Sequence, residues 1–177
     1  MFFTRKATIQ DIPEIENLME LSIANMLGGL LDTNQLEAAN ESMGLDTQLI
    51  HDLSYFLVFE GNKLIGSGGY SIRETLFGGN HTPNRSNNLL NPGEDAAKIR
   101  AMYTHPDWTR RGVGSLVLNL AEESLISLGF NQFELMATVS GILLYEKKGY
   151  DVEEEIEYIS KLGNNVPMFK MKKRINA

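Results

Sequence analysis

Eleven residues, His105 to Ser115 (H-P-D-W-T-R-R-G-V-G-S), concentrate the groups in this chain that can hold an anion. Gly112 and Gly114 stand where a long apolar-periodic run begins, so a glycine turn opens a helix there. Such a turn presents unpaired backbone N–H groups at the positive end of the helix dipole. The glycines let the backbone come close to a phosphate, and Arg110 and Arg111 add charge to a chain whose formal net charge is -7. No carboxylate lies between Trp108 and Asn119. A diphosphate is the natural ligand of this arrangement.

Taken alone, a G-x-G pair also suits a turn with no ligand and two solvated arginines, so its neighbours must decide. A Walker-type loop ends in Gly-Lys-Ser/Thr, whereas Gly114 is followed by Ser115 and Leu116, and the lysine is missing. A dinucleotide fingerprint asks for a third small residue where Val117 stands. Glu134 lies near the distance expected of a ribose carboxylate, which keeps a dinucleotide-dependent oxidoreductase as a weak alternative.

The elements that must position this turn can be read outward from it. Ala97 to Thr104 alternates as a strand, and Val113, Leu116, Val117, Leu120, Ala121 and Leu125 trace one helical face that Gly129 closes. Phe133 to Ala137 is a further strand, so strand, helix, strand implies a parallel pair joined by a crossover. Gly141 to Lys148 reads as a short helix, and 154–160 with 167–173 as a terminal hairpin turning at Gly163-Asn164-Asn165. Upstream, residues 2–9 read as a strand. Asp11 with Glu14 reads as a capping box for a helix ending at Gly28-Gly29. Helical stretches are expected at 34–43 and 47–53, followed by a hairpin of 55–60 and 63–72 about Gly61-Asn62, with Gly66, Gly68 and Gly69 marking a bulge or a close backbone approach. Residues 74–96 are rich in Gly, Asn, Pro and Ser and form a loop insertion, either a functional lid or a disordered insert. The fold class expected is α+β: a single domain, 1–177, with a mixed, mostly antiparallel sheet of six or seven strands, a splayed central parallel pair and flanking helices.

In this order the strand 97–104, T-R-R-G-V-G, the amphipathic helix, the strand 133–137 and L-Y-E-K-K-G-Y at 144–150 resemble the GNAT superfamily of N-acetyltransferases. The family pattern Gln/Arg-x-x-Gly-x-Gly/Ala binds the pyrophosphate of acetyl-CoA, which the resemblance makes the cosubstrate. Carried over, Thr109, Arg110, Arg111, Gly112, Val113, Gly114 and Ser115 hold the pyrophosphate, with Thr109 departing from the leading Gln/Arg and contributing through its main chain. Met102, Tyr103 and Thr104 align the pantetheine arm, and Thr138 joins the cofactor-binding set. The resemblance implies direct attack of a primary amine on the thioester, with the oxyanion held by the Met102 main-chain N–H. Tyr145 stands at the general acid position, where a phenol suits a departing thiolate. Some relatives carry a carboxylate on the strand before the turn, but Lys98 and Arg100 stand here instead. Glu74 is the base named, with His81, Glu134 or a water relay as competitors, and His105 is assigned to the turn rather than to catalysis. A homodimer is a further expectation from the resemblance, with the terminal hairpin as the pairing edge.

Composition bounds the remaining classes. An acidic chain lacks the basic face that nucleic acid or an anionic membrane requires. It has no cysteine, hence no disulfide framework, thiolate metal site or cysteine nucleophile, and no metal is expected. Neither a signal peptide nor an apolar run of about 20 residues is visible, so a cytoplasmic protein is expected. The acceptor is a small-molecule or peptide amine. A non-catalytic acyl-CoA-binding module is the alternative from another class, motivated by the missing strand carboxylate. Arg100, if it faces the cleft, argues for an acceptor bearing a carboxylate.

Overall fold

The computed structural model describes residues 1–176. Seven strands form one sheet: β1 (Phe2–Lys6), β2 (Tyr55–Glu60), β3 (Lys63–Ser71), β4 (Ala97–Thr104), β5 (Gln132–Ala137), β6 (Asp151–Ile159) and β7 (Asn165–Arg174), in the order β1-β2-β3-β4-β5-β7-β6. All neighbours are antiparallel except β4 and β5. Five helices accompany them: α1 (Ile12–Leu27), α2 (Thr33–Ser42), α3 (Thr47–His51), α4 (Val113–Ser127) and α5 (Ile142–Lys147). No helix among the described residues is long and apolar enough to cross a membrane.

The expected α+β mixed sheet is therefore present, and its apolar stripes explain how it packs. Ile15, Leu18, Met19, Ile23 and Leu27 recur along α1 and are buried against Tyr55, Leu57 and Tyr103 of the sheet. Leu118, Ala121 and Leu125 of α4 pack against Ile99, Phe133 and Leu135. Three glycines in β3 let α4 and the neighbouring strands come close. A Cβ on Gly66 would meet Val113 Cγ1 at 2.3 Å, and one on Gly69 would meet the Ser54 carbonyl at 2.0 Å. The expected bulge is present as well, in the β3–β4 register between Ser67 and Gly69.

Three details differ from the sequence reading. Asp11 does not cap α1 with its side chain. A 3-10 turn at Ile9–Asp11 intervenes, so the capping box is Thr8 with Asp11, whose carboxylate accepts from the Thr8 amide (2.8 Å) and pairs with Arg5 (2.7 Å). The first strand stops at Lys6, short of residue 9. The terminal hairpin is longer than expected, and its second strand, β7, lies against β5. That leaves β6 on the sheet edge with Glu153, Glu154, Glu155 and Glu157 exposed, so a symmetric pairing of two such edges would bring like charges together.

Candidate active site

The parallel pair determines where a cavity can form. β4 and β5 are in register only at Ala97 with Phe133 and Lys98 with Glu134; beyond these they part. Lys98 and Glu134 form a buried ion pair at the point of divergence. A cavity of about 480 Å³ opens beyond it, lined by residues 99–104 of β4, 135–137 of β5 and the start of α4. At the same level β4 is kinked: Ala101 has φ +52°, and its carbonyl accepts from the buried Tyr55 hydroxyl (2.9 Å). The irregularity places Met102 on the cavity wall opposite Gly68, where a Cβ would lie 2.5 Å from Met102 Sδ.

One end of the cavity is the glycine turn. Thr109, Arg110, Gly112, Val113, Gly114 and Ser115 all line it. The first helical hydrogen bond of α4 runs from the Leu116 amide to the Gly112 carbonyl (2.9 Å), so the amides of Val113, Gly114 and Ser115 precede the helical ladder. Gly112 makes this start possible with φ +87°, a left-handed conformation that a side chain disfavours. Thr109, the irregular position, uses its hydroxyl within the turn, donating to the Pro106 carbonyl (3.1 Å). Arg111 turns aside and places its guanidinium 5.7 Å from the Trp108 ring, outside the cavity lining. His105 also stays in the turn: its Nδ1 accepts from the Asp107 amide (3.2 Å), and its ring meets Trp108 edge-on. Burial, with Lys63 nearby, holds His105 below its ordinary value.

Tyr145 of α5 reaches the cavity from the β5 side, next to Thr138 and Gly141. It is 8% exposed, and its ring is edge-on to Tyr150 at 5.9 Å. Burial, reinforced by Tyr103, pushes its phenol well above the ordinary tyrosine range. Tyr103 is likewise buried and raised to about 12, chiefly by desolvation; its oxygen accepts from the Gly44 amide (3.3 Å).

The far end is made by α1 (Ser22, Ile23, Met26, Leu27), residues 42–44 and residues 76–78. None of these was assigned to the site from the sequence, since they belong to segments far apart in the chain and carry no motif. Loop 74–96 supplies part of this wall and is held in place throughout. Its two limbs are clipped together near their base by the Leu90 amide to the Ile72 carbonyl (2.8 Å), the Glu74 amide to the Asn88 carbonyl (3.0 Å) and the Thr75 hydroxyl to the Ser86 carbonyl (2.7 Å). Arg100 lines the cavity but is committed to this loop: it donates to the carbonyls of Thr75 (2.9 Å) and Gly78 (2.8 Å) and pairs with Asp46 (2.9 Å). Asp46, 2% exposed, also binds Arg85 (2.6 Å), so one carboxylate joins β4, α3 and the loop. The carboxylate-binding role considered for Arg100 thus meets a guanidinium whose partners lie within the protein. Glu74 is not brought to the cavity; its carboxylate accepts from Ser86 (2.7 Å) and Asn88 (3.2 Å) on the exposed side of the loop. His81 lies by α2, its Nε2 3.3 Å from the Asn40 carbonyl. Glu134 is bound to Lys98, which removes the free ribose carboxylate that a dinucleotide site needs. Among the described residues no Asp, Glu or His lines the cavity.

The parting parallel pair, the glycine turn and Tyr145 thus line one cavity, with free backbone amides at one end. Comparisons with known proteins give the class. The model of the acetyltransferase (GNAT) family matches residues 21–150. Among solved structures, the PaiA N-acetyltransferase of Thermoplasma acidophilum in complex with coenzyme A is 16% identical with a TM-score of 0.67, over 99% of each chain. A GCN5-related N-acetyltransferase of Rhodopseudomonas palustris is 15% identical with a TM-score of 0.70, over 98% of this chain and 95% of its own. The ribosomal-protein-S18-alanine N-acetyltransferase of Escherichia coli is 14% identical with a TM-score of 0.61, over 100% of this chain and 96% of its own. Among curated proteins none matches. The chain belongs to the GNAT acetyltransferase family; it is an acyltransferase, and acetyl-CoA is its cosubstrate.

Proposed function

We propose that the chain moves the acetyl group of acetyl-CoA directly onto a primary amine, with the thioester lying in the splay between β4 and β5. The observation that carries this reading is the continuity of one cavity from the amides of Val113–Ser115, past Met102, to Tyr145. The amides and Arg110 hold the pyrophosphate, and Met102, Tyr103, Thr104 and Thr138 border the pantetheine arm. The amine lone pair attacks the thioester carbonyl carbon, and negative charge gathers on its oxygen. The Met102 N–H stabilises that oxyanion at the kink in β4. As the C–S bond breaks, Tyr145 gives its proton to the sulfur. A phenol whose ionisation is raised by burial stays protonated through the neutral range, which is the state a general acid needs.

Calorimetric titration with acetyl-CoA, followed by mass spectrometry of amine mixtures incubated with it, tests the proposal. Binding and a mass gain of one acetyl group on an amine are expected. Binding without any acetylated product would favour the non-catalytic acyl-CoA-binding module instead.

A further inference from the structure

The wall at the far end of the cavity is largely apolar, with Met26, Met43, Phe77 and Met168, and its uncharged polar side chains are the hydroxyls of Ser22, Ser42 and Tyr103. The one cation there, Arg100, is 3% exposed, and its partners Asp46, Thr75 and Gly78 belong to the protein itself. Phe77 meets Tyr158 edge-on at 5.9 Å, and the Tyr158 hydroxyl donates to Glu41 (2.8 Å), so loop, β6 and α2 are joined across this end.

An ammonium entering such a wall loses its hydration with no counter-charge in return. An alkylamine with pKa near 10.4 could enter only through its neutral fraction, about one molecule in 2,500 at pH 7. An amine whose lone pair is delocalised into an aromatic ring is already neutral and needs no protein base before it attacks. We infer that the acceptor is a small, weakly basic amine on an apolar or aromatic body, and that polyamines and amino acids are excluded. The inference rests on the acetyl-transfer reading above and names the substrate class of that site. The neutral nitrogen forms the C–N bond, the C–S bond breaks with its electron pair on sulfur, Tyr145 protonates that sulfur, and the proton shed by nitrogen passes through solvent to restore the Tyr145 phenol.

The test is a steady-state comparison of CoA release from acetyl-CoA with aniline-type amines, a linear polyamine, a zwitterionic amino acid and a short peptide with a free N-terminus. Calorimetric binding of acetyl-CoA is measured in parallel. The aromatic amines are expected to exceed the polyamine in kcat/KM by at least about 100-fold at pH 7, and their rate should be flat between about pH 6 and 9. A Phe77→Asp variant, which places a carboxylate on the half-buried wall, should move the preference toward the cationic amine by about tenfold. Preference for the polyamine, the amino acid or the peptide, or acetyl-CoA binding with no member of the panel acetylated, would overturn the acceptor class while leaving cosubstrate binding intact. Absence of acetyl-CoA binding would instead remove the transfer reading itself.

Discussion

The two ends of the cavity solve different problems with different parts of the chain. At the α4 end the proposed diphosphate seat is built from consecutive residues, through amides and glycines that Val113–Ser115 and Gly112 supply in one turn. At the far end the wall is gathered from α1, residues 42–44 and loop residues 76–78, and it offers apolar surface and neutral hydroxyls. Backbone recognition is local and tolerant of side-chain change, as Thr109 illustrates by spending its hydroxyl on Pro106. Recognition by side chains from separated segments depends on what keeps those segments together, which here includes the buried Asp46 between Arg85 and Arg100.

Breaking that joint should separate the two ends most sharply. Asp46→Asn leaves two guanidinium groups without their shared carboxylate, and a loss of about 3 to 5 kcal/mol in urea unfolding is expected. Acetyl-CoA binding by whatever fraction stays folded should persist, because the turn at 109–115 makes no contact with Asp46. At the other end, Gly112→Asp combines a disfavoured left-handed residue with a carboxylate beside the diphosphate. A rise in the acetyl-CoA Kd on the order of 100-fold is expected by calorimetry. Between the ends, Tyr145→Phe should lower kcat by about 100-fold with the Kd little changed, separating proton donation from packing. An unchanged kcat would return Tyr145 to a packing role.

The buried phenols give a pH dependence with a definite sign. Desolvation raises Tyr55, Tyr145 and Tyr150, and raises Tyr103 to about 12. Up to about pH 10 these groups are protonated in both states and cost nothing; above it the unfolded chain ionises first, so stability falls as pH climbs toward the folded values. Urea midpoints should therefore drop steeply above pH 10, and replacing Tyr103 by Phe should make the drop shallower. The smallest effect is expected for Arg111→Ala. Its side chain sits over Trp108 outside the cavity, so a change in Kd of no more than a few-fold is anticipated, with about 0.5 to 1 kcal/mol of stability.

How much of this was legible follows from the same contrast. The order of strands and helices was readable from apolar period and glycine punctuation, as was the glycine turn that opens α4. The kink at Ala101 was not visible, because K-I-R-A-M-Y alternates like any strand and its φ of +52° is imposed by the pairing with β3. The glycines of β3 hinted at the bulge without locating Met102 opposite Gly68. Glu74 looked near the chemistry in sequence but points to Ser86 and Asn88, since the loop folds on its own carbonyls and amides. The shift of the capping box from Asp11–Glu14 to Thr8–Asp11 has a similar origin: Arg5 draws the Asp11 carboxylate back toward β1.

What the sequence laid out by itself is therefore the glycine turn of the proposed cosubstrate end, because a backbone anion site is built from neighbours and its requirements are written in consecutive residues. Only the tertiary structure gathers the opposite wall of the cavity. Whether Arg100 greets a ligand or fastens a loop depends on Asp46, 54 residues away along the chain, and no local pattern encodes that distance. Burial then made the choice consequential, since a guanidinium without water must have its partners at hand, and those partners are what leave the rest of the wall apolar.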